Sequence, residues 1–569
     1  MSNPAPPIAG SRQGDSPWLY GRLRDVFFGY GLAYLVSVPL LLALAFATDT
    51  QRALAIATPY LALVFSTPHY GATILRVYEN REDRQKYALF SIWITLGIVA
   101  LFVAGLYSVF IGSLVLTIYV SWSPWHFSGQ NYGVSVMYLG RSGVRLTPEL
   151  KRLLYLSYVL SAVLAFLSIH IGGASLVFAA GSQDVTATFR VLQLGIPTSL
   201  AYVLVAGFGL GWVGCIGVLG LRLLRMASPA TLAPVAILAA TQSLWFTLPA
   251  AGRMTGIWNA ESLPFTAIWL SVAHSTQYLW VTCFYIQREG SGVRLTPFLV
   301  KSLLAGAALS TPALVLAPGL FGPAFPNAAA VGVLLFSLVN LHHFILDGAI
   351  WKLRDGRIAQ ALLRSESIAP EPIGEAPRRA WLRPVLLGFG ALCVVSQLYV
   401  GQLARVAGNP EVDAERSFES ARMLSAFGGD TAGLWSAIAR RLEDAGEPAK
   451  AMAAYGRSVE LGRKDTPPWA ANRLAWLLLA ERPGDAAALE EARRLAVFAA
   501  RRVGHERPEA FQTLAAVHAA AGRWEDAGRA AERALEVARS TGDEARVRHI
   551  ERTIAQYQSQ AAFSAPPAE

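Results

Sequence analysis

Leu334-Leu-Phe-Ser-Leu-Val-Asn-Leu-His-His-Phe-Ile-Leu-Asp347 sets two imidazoles and a carboxylate in the middle of an apolar run. A helix needs about 20 apolar residues to cross the hydrocarbon core of a bilayer, and residues 328–351 supply them. Ionisable groups at that depth are costly, so they face the bundle interior and mark function. His343 and Asp347 stand four residues apart, on one helical face. The stretch predicts a membrane-crossing helix that carries histidine and carboxylate groups into the inside of a helix bundle.

The same length test, applied outward, predicts eleven spans. They cover residues 26–48, 53–77, 87–109, 111–139, 152–174, 198–223, 231–250, 262–287, 299–319, 328–351 and 383–403. Segment 177–196, with Asp184 and Arg190, reads as a loop or an interfacial piece. Basic residues cluster in alternate connections: Arg76, Arg81, Arg84 and Lys86; Arg141, Arg145, Lys151 and Arg152; Arg222 and Arg225; Arg288, Arg294 and Lys301; and six more from Lys352 to Arg379. The positive-inside rule makes that face cytoplasmic, with the N-terminus inside and everything after residue 403 outside, in the periplasm if the membrane is a bacterial inner membrane. The net charge of +10 is thus a membrane signature and not a nucleic-acid one. Cys215, Cys283 and Cys393 all lie in apolar spans without a CxxC pattern, which argues against disulfides and thiolate zinc sites.

The domain order follows from composition. Residues 1–25 read as a disordered cytoplasmic lead-in without a cleavable signal peptide. The bundle occupies 26–351, a cytoplasmic loop 352–382, the last span 383–403 and a linker 404–415. A soluble Ala-, Arg- and Glu-rich region covers 416–557, and 558–569 reads as a disordered tail. The expected fold is all-α: a polytopic bundle of about 11 spans in two related halves, followed by a soluble helical solenoid. The two halves are suggested by Ser142-Gly-Val-Arg-Leu-Thr-Pro148, which recurs as Ser291-Gly-Val-Arg-Leu-Thr-Pro297. Each copy follows a histidine-bearing span, and Thr147-Pro148 and Thr296-Pro297 suit helix starts, with threonine as N-cap and proline at the first position.

Five of the nine histidines, His69, His126, His274, His342 and His343, fall in spans that run in the same direction. Gln130 follows His126 by one turn, Gln277 follows His274 by three residues, and Asn340 precedes the histidine pair, so these amides are candidates to support the ligands or to meet polar substrate groups. Asp347 could ligate a metal or orient His343 from behind. His170 belongs near the opposite face. Counting residues to the next basic group puts His69 roughly 10 Å deep, His342 15 Å, His274 21 Å and His126 22 Å, which does not coincide and allows two levels. Imidazole with one carboxylate, and no usable cysteine, suits non-haem iron, zinc or copper. Two histidines on facing helices could instead clamp a haem. Trp122, Trp125, Phe127, Tyr132, Tyr278, Trp280 and Phe344 around such a site fit a lipid-like substrate arriving from the bilayer. The competing reading is non-enzymatic: an envelope assembly or transport component whose histidines glue helices together or carry protons.

Pro68-His69-Tyr-Gly71 and His126-Phe127 with a nearby glycine resemble the PHG and HFG motifs of the Brp/Blh-type carotenoid-cleaving membrane dioxygenases. Thr73 and Gln130 stand where that family's pattern has acidic residues. The resemblance implies histidine-bound iron and oxygenase chemistry at His69 and His126, joined by His274 and His343 if it extends that far, and an isoprenoid-like substrate.

The soluble region resembles tetratricopeptide repeats. One unit runs Trp435, Ile438-Ala439, Leu442, Gly446, Ala451, Tyr455; another runs Phe511, Leu514-Ala515, His518, Gly522, Ala527, Ala531, Ala534; a third, less regular, spans Trp469 to about Arg502. The resemblance implies stacked helix pairs whose concave face binds a protein partner.

Overall fold

The computed structural model describes residues 16–37, 60–78, 87–171, 189–254, 263–288, 294–312, 331–351, 356–364, 381–462, 466–503, 505–540, 542 and 544–564. Among them the chain is helical throughout; the only extended pairing is an isolated bridge between Ile171 and Ile196. It divides into two compact units, and the division falls within the helix Leu382–Gly408.

The first unit holds α1 (Thr67–Tyr78), α2 (Leu89–Tyr107), α3 (Val109–Arg141), α4 (Pro148–His170), α5 (Thr198–Leu224), α6 (Pro229–Gly252), α7 (Leu263–Arg288), α8 (Leu295–Thr311), α9 (Val331–Ile350), α10 (Gly356–Arg364) and, as far as Tyr399, α11 (Leu382–Gly408). Among the described residues, six helices are long and apolar enough to cross a membrane: α2, α4, α5, α6, α9 and the Pro384–Gly408 part of α11. The two helices bearing His126 and His274, α3 with 33 residues and α7 with 26, have the length but are polar through their middles. Of the other expected spans, 26–48, 53–77 and 299–319 run partly outside the described residues. Within the first of these, Gly31 breaks the helix with a left-handed φ of 89°, and Thr241 leaves no room for a Cβ there.

Helix ends follow from local chemistry. Ser108 caps α3 by accepting from the amide of Ile111, and Thr147 caps α4 by accepting from that of Leu150, with Pro148 at the first position. Gly143, at φ 78, closes α3 in the left-handed conformation that glycine adopts at no steric cost. The second copy of the repeat differs: α8 starts two residues earlier, at Leu295, and no side chain caps it, so Thr296 is not its N-cap. Its Ser291–Val293 lie outside the described residues.

Expectations about irregular segments are corrected. Residues 16–25 are folded: Trp18 packs on Tyr30 and Tyr138, and the buried Asp25 accepts from the amides of Leu19 and Tyr20 and from Trp280 Nε1. The 352–382 loop contains α10, whose Ile358, Ala361 and Leu362 are buried while Arg141 Nη1 donates to the Leu362 carbonyl. The 404–415 linker is helical as far as Gly408, since no breaker precedes Gly408-Asn-Pro410. Residues 1–15 and 365–380 lie outside the described residues.

The second unit continues with α12 (Ala414–Ser425), α13 (Ala432–Asp444), α14 (Pro448–Gly462), α15 (Pro468–Glu481), α16 (Ala486–Val503), α17 (Pro508–Ala520), α18 (Trp524–Ser540) and α19 (Glu544–Ser564). Each packs on the next in sequence. Ala439, Ala454, Ala475, Ala492 and Ala531 are buried at the crossings, where small side chains allow close approach. Gly446, Gly484 and Gly522, with φ of 75°, 82° and 69°, turn one helix into its partner. The tail expected to be disordered from 558 is helical to Ser564.

Candidate metal centre

Four helices each bring one imidazole to the same place. His69 stands two residues into α1, just after a wide π-turn at Ala62–Ser66. Pro68 has no amide hydrogen, so the chain ahead of His69 cannot complete a regular hydrogen-bond ladder. His126 follows Pro124 inside α3, where Ser128 Oγ donates to the Pro124 carbonyl. His274 comes from α7, and His343 with Asp347 from α9.

The ring centroids of His69 and His343 are 4.1 Å apart, those of His69 and His274 5.0 Å, His126 and His274 5.0 Å, and His126 and His343 5.2 Å. His69, His274 and His343 offer ligand atoms within 4.8 Å of one another, and so do His126, His343 and Asp347. These buried groups could hold a metal ion. The depth count overestimated their spread for a physical reason. Arg76, the residue used to place His69, is half-buried: its guanidinium lies 4.1 Å from the Tyr285 ring centre and 3.9 Å from that of Trp351.

The donor set tests whether a cation fits. His69 Nδ1, His126 Nε2, His343 Nε2 and both nitrogens of His274 are buried with no hydrogen-bond partner. Buried polar atoms are nearly always paired, so unpartnered nitrogens on four neighbouring rings are unusual. His343 Nε2 lies 3.2 Å from Asp347 Oδ2, and His126 Nε2 lies 4.0 Å from the same oxygen, neither as a hydrogen bond. One cation could take a lone pair from each of the four rings, with one His274 nitrogen facing it and the other carrying that ring's hydrogen. Phe127 stacks on His274 with centroids 4.0 Å apart, and Phe344 stacks on His126 at 4.1 Å, so the centre is walled by apolar rings.

Not every candidate joins the centre. His342 points the other way, toward α2, with Nε2 2.8 Å from Thr95 Oγ1, which in turn meets the Tyr78 hydroxyl. Adjacent residues on a helix face about 100° apart, so only one of the pair can point inward. Asn340 accepts from the Tyr70 hydroxyl and donates to the Phe336 carbonyl. Gln130 donates to the His274 carbonyl and to Gln277, and Gln277 donates to the Gly29 carbonyl, so these amides lock α3, α7 and the N-terminal turn behind the histidines. His170 is engaged elsewhere, with Ser121 Oγ and the Leu194 amide.

Sequence reasoning missed Thr73 and Tyr278 as supporting groups. Thr73 Oγ1 lies 3.0 Å from His343 Nδ1, 2.7 Å from the Tyr278 hydroxyl and 3.2 Å from Asp347 Oδ1. Tyr278 donates to the same oxygen at 3.0 Å and accepts from Trp351 Nε1 at 3.1 Å. The signal was present: each stands four residues after a histidine, His69 or His274, and so on the same helix face.

No family model matches this chain, and neither a curated protein nor a solved structure does.

Proposed function

We propose that the chain is an integral membrane metalloenzyme, a non-haem iron oxygenase acting on a lipid-like or isoprenoid substrate. The observation that carries this reading is the convergence of unpartnered imidazole nitrogens from four helices beside a buried carboxylate. His69, His126, His274 and His343 would hold the ion, with Asp347 as a ligand or as its nearest counter-charge. An iron ion bound there would supply oxygen activation. The protein's own part is to exclude water with Phe127 and Phe344 and to present an apolar wall to a hydrocarbon chain. Trp122 and Trp125, half-exposed on α3 next to His126, suit a substrate arriving sideways from the lipid. Short PHG- and HFG-like stretches around His69 and His126 favour iron and an isoprenoid over zinc and a hydrolytic role.

In this reading the loop charges put the N-terminus in the cytoplasm of a bacterial inner membrane and the C-terminal unit in the periplasm. The second unit would be a tetratricopeptide-like solenoid, with its turn glycines and buried alanines at matching places, docking a protein partner.

The test is metal analysis and an absorption spectrum of the purified full-length chain in detergent. Stoichiometric iron without a Soret band supports the proposal. A Soret band would move the protein to a haem-bearing electron carrier. Absence of any metal, even after supply during expression, would leave the histidines as helix glue in an assembly or transport component.

A further inference from the structure

The hydrogen atoms around Thr73 can be counted. Four short contacts meet there: Thr73 with His343 Nδ1 at 3.0 Å, Thr73 with Tyr278 at 2.7 Å, Tyr278 with Asp347 Oδ1 at 3.0 Å, and Thr73 with Asp347 Oδ1 at 3.2 Å. With Asp347 ionised, as a carboxylate beside a bound cation is, the only hydrogens among these three oxygens are the one each hydroxyl owns. If Thr73 spent its hydrogen on His343 Nδ1, Tyr278 could fill only one of the three oxygen–oxygen contacts. If His343 Nδ1 carries its own hydrogen and donates it, both hydroxyl hydrogens remain for the oxygens. The Thr73–Tyr278 and Tyr278–Asp347 contacts, which are the two shortest, are then both filled. Trp351 Nε1 adds a further donor to Tyr278, which frees that hydroxyl to point at Asp347.

We infer that Thr73, backed by Tyr278, is a positioning residue that holds His343 as the Nδ1–H tautomer. This rests on the metal-site reading and extends it to how the site is kept ready for its ion. The consequence is geometric. With hydrogen on Nδ1, the lone pair of Nε2 points at the centre, and Nε2 is the nitrogen that has no hydrogen-bond partner. It faces Asp347 Oδ2 at 3.2 Å. Two lone-pair atoms held at that distance repel each other unless a cation lies between them. The tie also reaches His69, because Thr73 sits one turn after it and contacts its carbonyl at 3.5 Å. One hydroxyl therefore couples the ligand on α1 to the ligand and carboxylate on α9. Fixing the second ring nitrogen of a ligating histidine is a general means of setting its tautomer and orientation.

The test uses the full-length protein in detergent micelles, stripped of metal and titrated with Co(II), whose visible absorption reports ligand number and geometry. Thr73→Val keeps the shape and removes the hydroxyl. It should weaken cobalt binding by about 10–100-fold, as loss of a supporting partner typically does, and should alter the visible bands. Thr73→Ser restores the hydroxyl and should recover both affinity and spectrum; this arm separates positioning from a folding defect. Tyr278→Phe should fall between the two, since Thr73 still reaches His343. Cobalt binding in which Thr73→Val matches the wild type, or in which Ser and Val variants behave alike, overturns the inference while leaving the metal site standing. A wild-type protein that takes up no cobalt removes the site and the inference together.

Discussion

Replacing Gly71 with alanine should pull His69 out of the centre. α1 and α8 pack backbone to backbone at this point. A Cβ on Gly71 would lie 1.7 Å from the Ser302 carbonyl oxygen and 2.7 Å from the Gly306 amide nitrogen. The reciprocal Cβ on Gly306 would lie 1.9 Å from the Thr67 carbonyl oxygen. These are backbone atoms, which cannot rotate aside as a side chain can. Restoring an ordinary contact of 3.4 Å requires the helices to part by about 1.7 Å there. Overpacking of this kind costs typically about 3 kcal/mol at the upper end, and alanine returns about 1 kcal/mol as the better helix former, for a net loss of ~2 kcal/mol. His69 is two residues away, and metal–ligand distances keep to within about 0.2 Å of their usual values, far less than this displacement. The expected result is a melting temperature lower by several degrees and a fall in metal affinity beyond the ~10–100-fold expected for a supporting residue. Tryptophan fluorescence melting and cobalt titration in detergent read the two effects. Gly133→Ala in α3, where a Cβ meets nothing within 4 Å, is the control and should be neutral or stabilising by up to ~1 kcal/mol. Wild-type melting and wild-type affinity in Gly71→Ala would refute the close packing of α1 on α8 as the device that places His69.

His274→Ala and His343→Ala should abolish metal retention while membrane insertion is kept, whereas His342→Ala, on the opposite face of α9, should retain the metal; equal loss in all three would contradict the placement of His342. Asp25→Ala should destabilise the first unit by about 2–4 kcal/mol, because the Leu19 and Tyr20 amides and the Trp280 indole lose their shared acceptor, and Asp25→Asn, which keeps an accepting oxygen, should cost less; both are read by thermal melting. Gly446→Ala and Gly522→Ala force a Cβ into left-handed turns and should each destabilise the second unit by about 1 kcal/mol, measured by denaturant unfolding of the full chain followed by circular dichroism. Thr147→Ala removes the cap of α4 and should cost about 1 kcal/mol, while Thr296→Ala in the other copy of the repeat, which caps nothing, should cost less.

Much of this protein is legible from residue order alone. Hydropathy depends on composition along the chain, so the helical class, the long apolar segments and the change of character near residue 400 need no coordinates. Thr147-Pro148 and Gly143 mark helix ends through interactions within a few residues, and they sit where local rules put them. The candidate histidines were visible for the same reason, since an imidazole in an apolar run is expensive wherever the helix later packs. What the linear order could not supply is angle and depth. Whether His342 or His343 turns inward depends on how α9 rotates against α1 and α2, and that is set by contacts far apart in sequence, such as Thr73 with His343 and Thr95 with His342. The depth ruler failed at Arg76 because two aromatic rings from α7 and the end of α9 hold its charge inside. The Asp25 acceptor and the Gly71–Gly306 crossing likewise join segments more than 200 residues apart. Periodicity reports which face of a helix is apolar; only packing in three dimensions decides which neighbour that face meets, and therefore which imidazoles share a centre.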